Sequence, residues 1–293
     1  MEGALVDVGL PLALFFIMIG MGLTLTPKDF REVLIAPKAT LFGLLAQVLI
    51  LPVIAFGLAW GLRLDPALAV GLIIIAACPG GTTSNIFAYL GGGDVALSVV
   101  LTVLASIVTI VTLPLFSGMA LDYFQDASVT VRLPVERTVL ALLLIVIVPL
   151  MIGMSLRKWL PVFAARAERM VGVFGLLVLL FVVIAILASL GDRVVVLAKQ
   201  GILLALLLNI AGVALGFLGG KLLRLDLRQS FTIAIELGLK NATLGLMVTL
   251  TLLHSNEMSV PSAVYGIVMF VFGGLLVVMS RQLGLQRPPM ADR

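Results

Sequence analysis

The sequence predicts an all-α membrane protein of about nine transmembrane helices, two of them discontinuous. Three observations carry this prediction. The 293-residue chain is 61% hydrophobic and 12% charged, about half the charged share of soluble domains, and its mean hydropathy is +1.24. Apolar runs of roughly 20 residues, the length that spans a bilayer, recur between short loops. Two of those runs are interrupted by proline, glycine and polar residues. No separate soluble domain fits between them.

The runs fall at about 5–25, 39–60, 67–90, 95–118, 138–155, 170–190, 197–220, 230–253 and 261–280. The first carries Glu2 and Asp7 ahead of its apolar part. A cleaved leader would have a positive n-region there, so this run is expected to stay as a span. Pro52, Pro114 and Pro149 are expected to kink their helices. Asp94 follows Gly91, Gly92 and Gly93 and reads as the N-cap of the fourth run. The segment RKWLPVFAARAERM before the sixth run reads as an interfacial connector, with Trp159 at headgroup level. His254 falls in an outer loop.

Basic residues set the orientation. One side collects Lys28, Arg31, Lys38, Arg157, Lys158, Arg166, Arg169, Lys221, Arg224, Arg228, Arg281, Arg287 and Arg293; the other has Arg63, Arg132, Arg137, Arg193 and Lys199. The richer side is expected to be cytoplasmic. The N-terminus then lies outside and the C-terminus inside a cell inner membrane. A net charge of +4 without a basic, aromatic-interleaved patch gives no footprint for nucleic acid. One cysteine, Cys78, rules out an intrachain disulfide or a cysteine-cluster metal site, and one histidine rules out paired-histidine zinc chemistry.

The breaks concentrate the chemistry. The third run contains ACPGGTTSN, Ala77 to Asn85. Pro79 lacks an N–H and bars its predecessor from helix geometry. The eighth run breaks at LGLKNAT, Leu237 to Thr243. Unwound backbone inside a membrane persists only where protein or a water-filled cavity satisfies it. Breaks at comparable places in two halves point to a transporter binding site. They lie five runs apart, and an odd separation reverses direction, as an inverted repeat requires. A half-helix N-terminus attracts anions, and a half-helix C-terminus offers carbonyl oxygens to a cation. Glu236 adds a full negative charge beside such carbonyls. Ser84, Asn85, Ser98 and Thr102 supply neutral oxygens, the last two sharing a helix face at i and i+4. One carboxylate among neutral oxygens suits sodium; a transition metal prefers imidazole or thiolate. The competing reading for Ser98 and Thr102 is bonding to their own backbone or helix glue. For Lys240 it is a plain structural counter-ion to Glu236 at i+4.

Three stretches, GMGLTLTPKDF (20–30), AACPGGTTSNIFAYLGGGDVALSVVLT (76–102) and ELGLKNATLG (236–245), resemble signatures of the bile acid:sodium symporter family. The resemblance implies a core domain of approximately 39–137 and 196–280, in which the two broken helices cross, and a panel domain of approximately 1–38 and 138–195. It implies sodium-driven, alternating-access transport of an organic anion such as a carboxylate metabolite or a bile-acid-like compound, with no organic cofactor. By this resemblance a first sodium site comprises Ser84, Asn85, Ser98, Thr102 and Glu236. A second would use Gln47, Glu236, the carbonyls of Leu237 and Leu239, and position 240; Thr82 and Asn241 would meet the substrate. Two departures stand out. Many bacterial relatives begin with an extra span. The family also commonly has glutamine where this chain has Lys240, and an ammonium has three donors and no acceptor, so it cannot ligate sodium. Lys240 is therefore expected to act as a tethered cation in place of the second sodium. Were it to exchange its proton, coupling would follow pH instead.

Three rival readings rank below this one. The Gly-x-Gly-Asp pattern at Asp94 matches intramembrane aspartyl proteases, but no second aspartate lies on another span. A passive channel favours symmetric rings of subunits or filters. Arsenite efflux through Cys78 competes with simple packing of a small buried cysteine.

Overall fold

The computed structural model describes residues 5–26, 36–125, 135–189, 191 and 194–285. Among these, helices account for nearly all structure, and the strand-like exception is an isolated antiparallel bridge between Gly80 and Lys240. In chain order, α1 is Leu10–Thr24, entered through a π-turn at Leu5–Gly9. Then come α2 (Pro37–Gly61), α3 (Pro66–Ala77), α4 (Thr82–Leu90), α5 (Val95–Phe124) and α6 (Val135–Trp159). The second half of the chain holds α7 (Pro161–Ser189), α8 (Val194–Leu222), α9 (Leu227–Gly238), α10 (Ala242–Leu252) and α11 (Asn256–Gln282). Lys28, Arg31, Arg132, Arg193, Arg287 and Arg293 lie outside the described residues, as does the end of the 20–30 motif.

Among the described residues, six helices are long and apolar enough to cross a membrane: α1 with the turn before it, α2, α5, α6, α8 and α11. Three of the expected runs fall short as continuous apolar helix. Two are the broken runs, whose halves are α3 with α4 and α9 with α10. The third is α7, where the apolar part, Met170–Ile186, is preceded by polar turns. The expected connector before it is itself helical: α7 starts at Pro161, and the chain leaves helix only at Leu160. Between their charged ends, α2 and α6 turn apolar side chains outward, Leu41, Val53, Leu140 and Leu144 among them, as contact with lipid demands.

Helix starts follow capping chemistry. Asp65, Asp94, Asp226 and Ser255 each accept a first-turn N–H of α3, α5, α9 and α11, satisfying one of the donors that a helix start leaves free. For Asp94 this is the role read from the sequence, and its carboxylate is committed to Leu97 N–H at 3.1 Å. His254 is largely exposed, with Nδ1 3.8 Å from Asp7.

Packing then sets where the breaks sit. α1 packs on the second half of α6 and on α7, while α8 packs on α9 and α11, and α3 lies among α2, α5 and α11. Gly212, Gly216 and Gly220 form a stripe on α8 at a spacing that keeps them on one face. A Cβ on them would come within 2.7 Å of Leu237 O, 2.6 Å of Ala234 backbone and 2.7 Å of Ser230 Oγ respectively. The stripe lets α9 lie directly on α8, the close approach that small residues permit in membrane helices. It fixes the C-terminal end of α9, where Glu236 stands.

Candidate functional site

The two breaks meet. After Ala77, Cys78 turns extended (ψ 150°) and Gly81 stays extended before α4 begins. After Gly238, Leu239 is extended and Asn241 caps α10, its Oδ1 accepting Leu244 N–H at 3.0 Å. Asn241 N–H donates across the crossing to Pro79 O at 2.8 Å. Each unwound strand thus satisfies part of the other's backbone, which is how broken helix survives in an apolar interior.

Glu236 sits at this crossing, fully buried. Ser84 Oγ donates to its Oε1 at 2.6 Å, Ser98 Oγ bonds the same oxygen, and Thr102 Oγ1 donates to Oε2 at 2.9 Å. Asn85 Oδ1 lies 2.9 Å from Ser98 Oγ and 3.5 Å from Thr102 Oγ1, and Gly81 O lies 2.7 Å from Ser84 Oγ. Ser84 Oγ also lies 3.4 Å from Thr102 Oγ1. A hydroxyl carries one hydrogen. Three hydroxyls therefore face seven oxygen contacts, and at most three of those contacts carry a hydroxyl proton. An excess of oxygen lone pairs around one buried negative charge is the electrostatic signature of a cation site. The structure brings together all five residues of the expected first set: Ser84, Asn85, Ser98, Thr102 and Glu236. Gly80 is required beside them. A Cβ there would run into the Glu236 carboxylate and stand 3.3 Å from Thr102 Oγ1 and 3.4 Å from Gln47 Nε2.

The second set is arranged differently. Gln47 is buried next to Gly80, and neither of its amide atoms has a protein partner. Leu237 and Leu239 are buried, and Leu237 O is turned toward Gly212 of α8. Lys240, also fully buried, makes no direct hydrogen bond to Glu236, although the two charges interact across the crossing. α9 ends at Gly238, so the four-residue helical spacing no longer holds by residue 240. Its Nζ instead donates to Cys78 O at 3.1 Å. The ammonium thereby caps the C-terminal end of α3, where helix carbonyls carry partial negative charge. Cys78 contributes this carbonyl, while its thiol is free and buried.

A cavity of about 550 Å³ opens beside the crossing. Thr82, Lys240 and Asn241 contribute polar wall, and Met21, Leu176 and Phe270 are among its apolar lining. The first turns of α4 and α10 both start at this wall, so two helix N-termini and one ammonium bias it toward anions. The rest is apolar, as ligand pockets commonly are. Among the described residues no cluster of three histidine, cysteine or acidic side chains could hold a metal ion.

Sequence reasoning passed over three groups around the site. Thr232 Oγ1 accepts Asp94 N–H at 2.8 Å, tying α9 to the start of α5. Tyr265 on α11 donates its hydroxyl to Gly238 O at 2.7 Å. Asn209 on α8 is buried with both polar atoms unpartnered. Only Asn209 carried a usable signal, as a lone amide inside an apolar run.

Six membrane-length helices around a double helix break with a buried carboxylate define a multi-pass membrane transporter. The particular family follows from comparison: the family model described as "Sodium Bile acid symporter family" matches residues 11–197, and the chain belongs to that family. The sodium-dependent transporter YocS of Bacillus subtilis (strain 168) is 35% identical over 89% of this chain and 79% of its own length. A probable sodium/metabolite cotransporter, BASS2 of Oryza sativa subsp. japonica, a chloroplast protein, is 34% identical over 92% of this chain and 63% of its own. The human ileal sodium/bile acid cotransporter is 29% identical over 80% of this chain and 67% of its own.

Proposed function

We propose that this protein is a secondary active transporter that moves an organic anion through a nine-span membrane body by alternating access. Sodium docks among Ser84, Asn85, Ser98, Thr102 and Glu236. The observation that carries this is the proton deficit around Glu236: seven oxygen contacts share three hydroxyl hydrogens. A sodium ion would replace those hydrogens by coordination, and reorienting three hydroxyls costs little.

Lys240 stands in for a second sodium. Its ammonium holds Cys78 O, so a fixed positive charge bridges the two breaks where an ion would otherwise be needed. One sodium per cycle is then enough. The anion binds in the cavity, its charge at Thr82, Asn241 and the two helix starts, its apolar part against α1 and α7. α1, α6 and α7 form the panel, and the helices around the crossing form the core. The cavity wall includes Met21 and Val171, close to loops assigned to the cytoplasm. At the other side the Leu5–Gly9 turn packs on the end of α10. This arrangement fits the inward-facing member of the transport cycle in an inner membrane.

The test is uptake of a panel of labelled carboxylates into proteoliposomes under a sodium gradient. Wild type is expected to depend on sodium with a Hill coefficient of about one, and Lys240→Gln with one approaching about two. Cooperative two-sodium behaviour in the wild type would refute the tethered cation. Uptake driven by a proton gradient without sodium would move the coupling to Lys240 itself.

A further inference from the structure

The last turn of α9 leaves a carbonyl stranded. In continuous helix, Leu237 O would accept the N–H of Asn241, four residues on. That N–H donates instead to Pro79 O. Leu237 O is turned to α8, where a Cβ on Gly212 would stand 2.7 Å from it. One turn earlier on α8 is Asn209. It has 0% exposure, and neither Oδ1 nor Nδ2 has a protein partner. Its Oδ1 lies 3.3 Å from the place of a Cβ on Gly238. Gly238 O, next along, accepts from Tyr265, whose hydroxyl oxygen keeps its lone pairs. Behind the break, a free amide thus stands one turn along α8 from the carbonyl that Asn241 leaves, and beside Gly238, whose own carbonyl holds the Tyr265 hydroxyl.

A buried amide with nothing to bond is costly, and these groups have what one water needs. They mix donor with acceptors and offer between two and four polar partners. They carry no negative charge, so a cation is the poorer occupant. We propose that Asn209 is a positioning residue for the cation dock: through one bound water it bridges to Leu237 O and locks the last turn of α9. Leu237 follows Glu236 directly. Rotation of that peptide would carry the carboxylate away from Ser84, Ser98 and Thr102. The link to sodium rests on the dock proposed above; the link to the helix end does not.

The experiment uses the full chain, purified, with Asn209→Leu, Asn209→Ala and Asn209→Ser, and two readouts. The first is hydrogen exchange of the amides in 237–242 without sodium. The second is sodium titration of thermal stability. In Asn209→Leu and Asn209→Ala, exchange in 237–242 is expected to quicken about tenfold, with 216–230 along the glycine stripe unchanged. Half-saturation by sodium is expected to rise about tenfold, the usual effect of losing an outer partner. Asn209→Ser, which keeps a hydroxyl for the water, restores most of both. Unchanged exchange in 237–242 overturns the proposal, as does faster exchange with an unaltered sodium half-saturation. A wild type that ignores sodium sinks the dock alone, and the exchange data still decide whether Asn209 holds the turn.

Discussion

Adding one methyl group at Gly80 strikes the centre of the account. Neither Gly80 nor Gly81 has positive φ, so alanine is conformationally allowed at both. At Gly81 the nearest atom to a new Cβ is Thr83 Oγ1 at 3.4 Å, an ordinary contact. Gly81→Ala should therefore be neutral or gain about 0.4–1 kcal/mol through the unfolded chain. At Gly80 the Cβ collides with the Glu236 carboxylate and crowds Thr102 and Gln47. Overpacking of this kind costs about 1–3 kcal/mol, so Gly80→Ala should end up to about 2.6 kcal/mol less stable after the same backbone gain. The carboxylate must also move off at least one hydroxyl, and a hydrogen bond to a charged group is worth about 1.5–3 kcal/mol. A loss of that size raises sodium half-saturation about tenfold or more. The assay is thermal unfolding of both variants across a sodium titration, with potassium as control. Gly80→Ala matching Gly81→Ala in both melting temperature and sodium half-saturation would refute the placement of the carboxylate.

Three further outcomes are expected. Asn241→Ala removes the cap on Leu244 N–H, costing about 0.5–2 kcal/mol; uptake assays should show weaker anion affinity with sodium half-saturation nearly unchanged. Tyr265→Phe leaves Gly238 O without its donor and should lower stability by about 1–3 kcal/mol in chemical denaturation, with the same sodium stoichiometry. Asp94→Ala uncaps α5 and costs about 0.5–2 kcal/mol, measurable as a lower melting temperature, without changing which carboxylates are transported.

What could be read from the sequence was mostly local. Pro79 and its two glycines announce a break because the backbone rules at those residues act within a few positions. Ser98 and Thr102 share a face by helix periodicity alone, and Glu236 is conspicuous because ionisable groups are rare inside membranes. The resemblance supplied the rest of the first set. What stayed hidden depends on how distant segments cross. The partner of Lys240 is a backbone carbonyl 162 positions away, and main-chain acceptors leave no mark in a sequence. Asn209 was a visible amide, but its significance comes from the stranded carbonyl of Leu237, which exists only because Asn241 reaches Pro79. The start of α7 at Pro161 was missed because Arg166 and its neighbours look like loop to a hydropathy count, although a helix can continue past the membrane surface.

The most direct measurement is a sodium titration of the purified protein and of Glu236→Gln, followed by thermal stability, with potassium and choline as controls. Glutamine keeps the size of the side chain and removes its charge. A saturable, sodium-specific rise in melting temperature is expected for the wild type and none for the variant. An equal sodium response in Glu236→Gln would contradict the dock at Glu236.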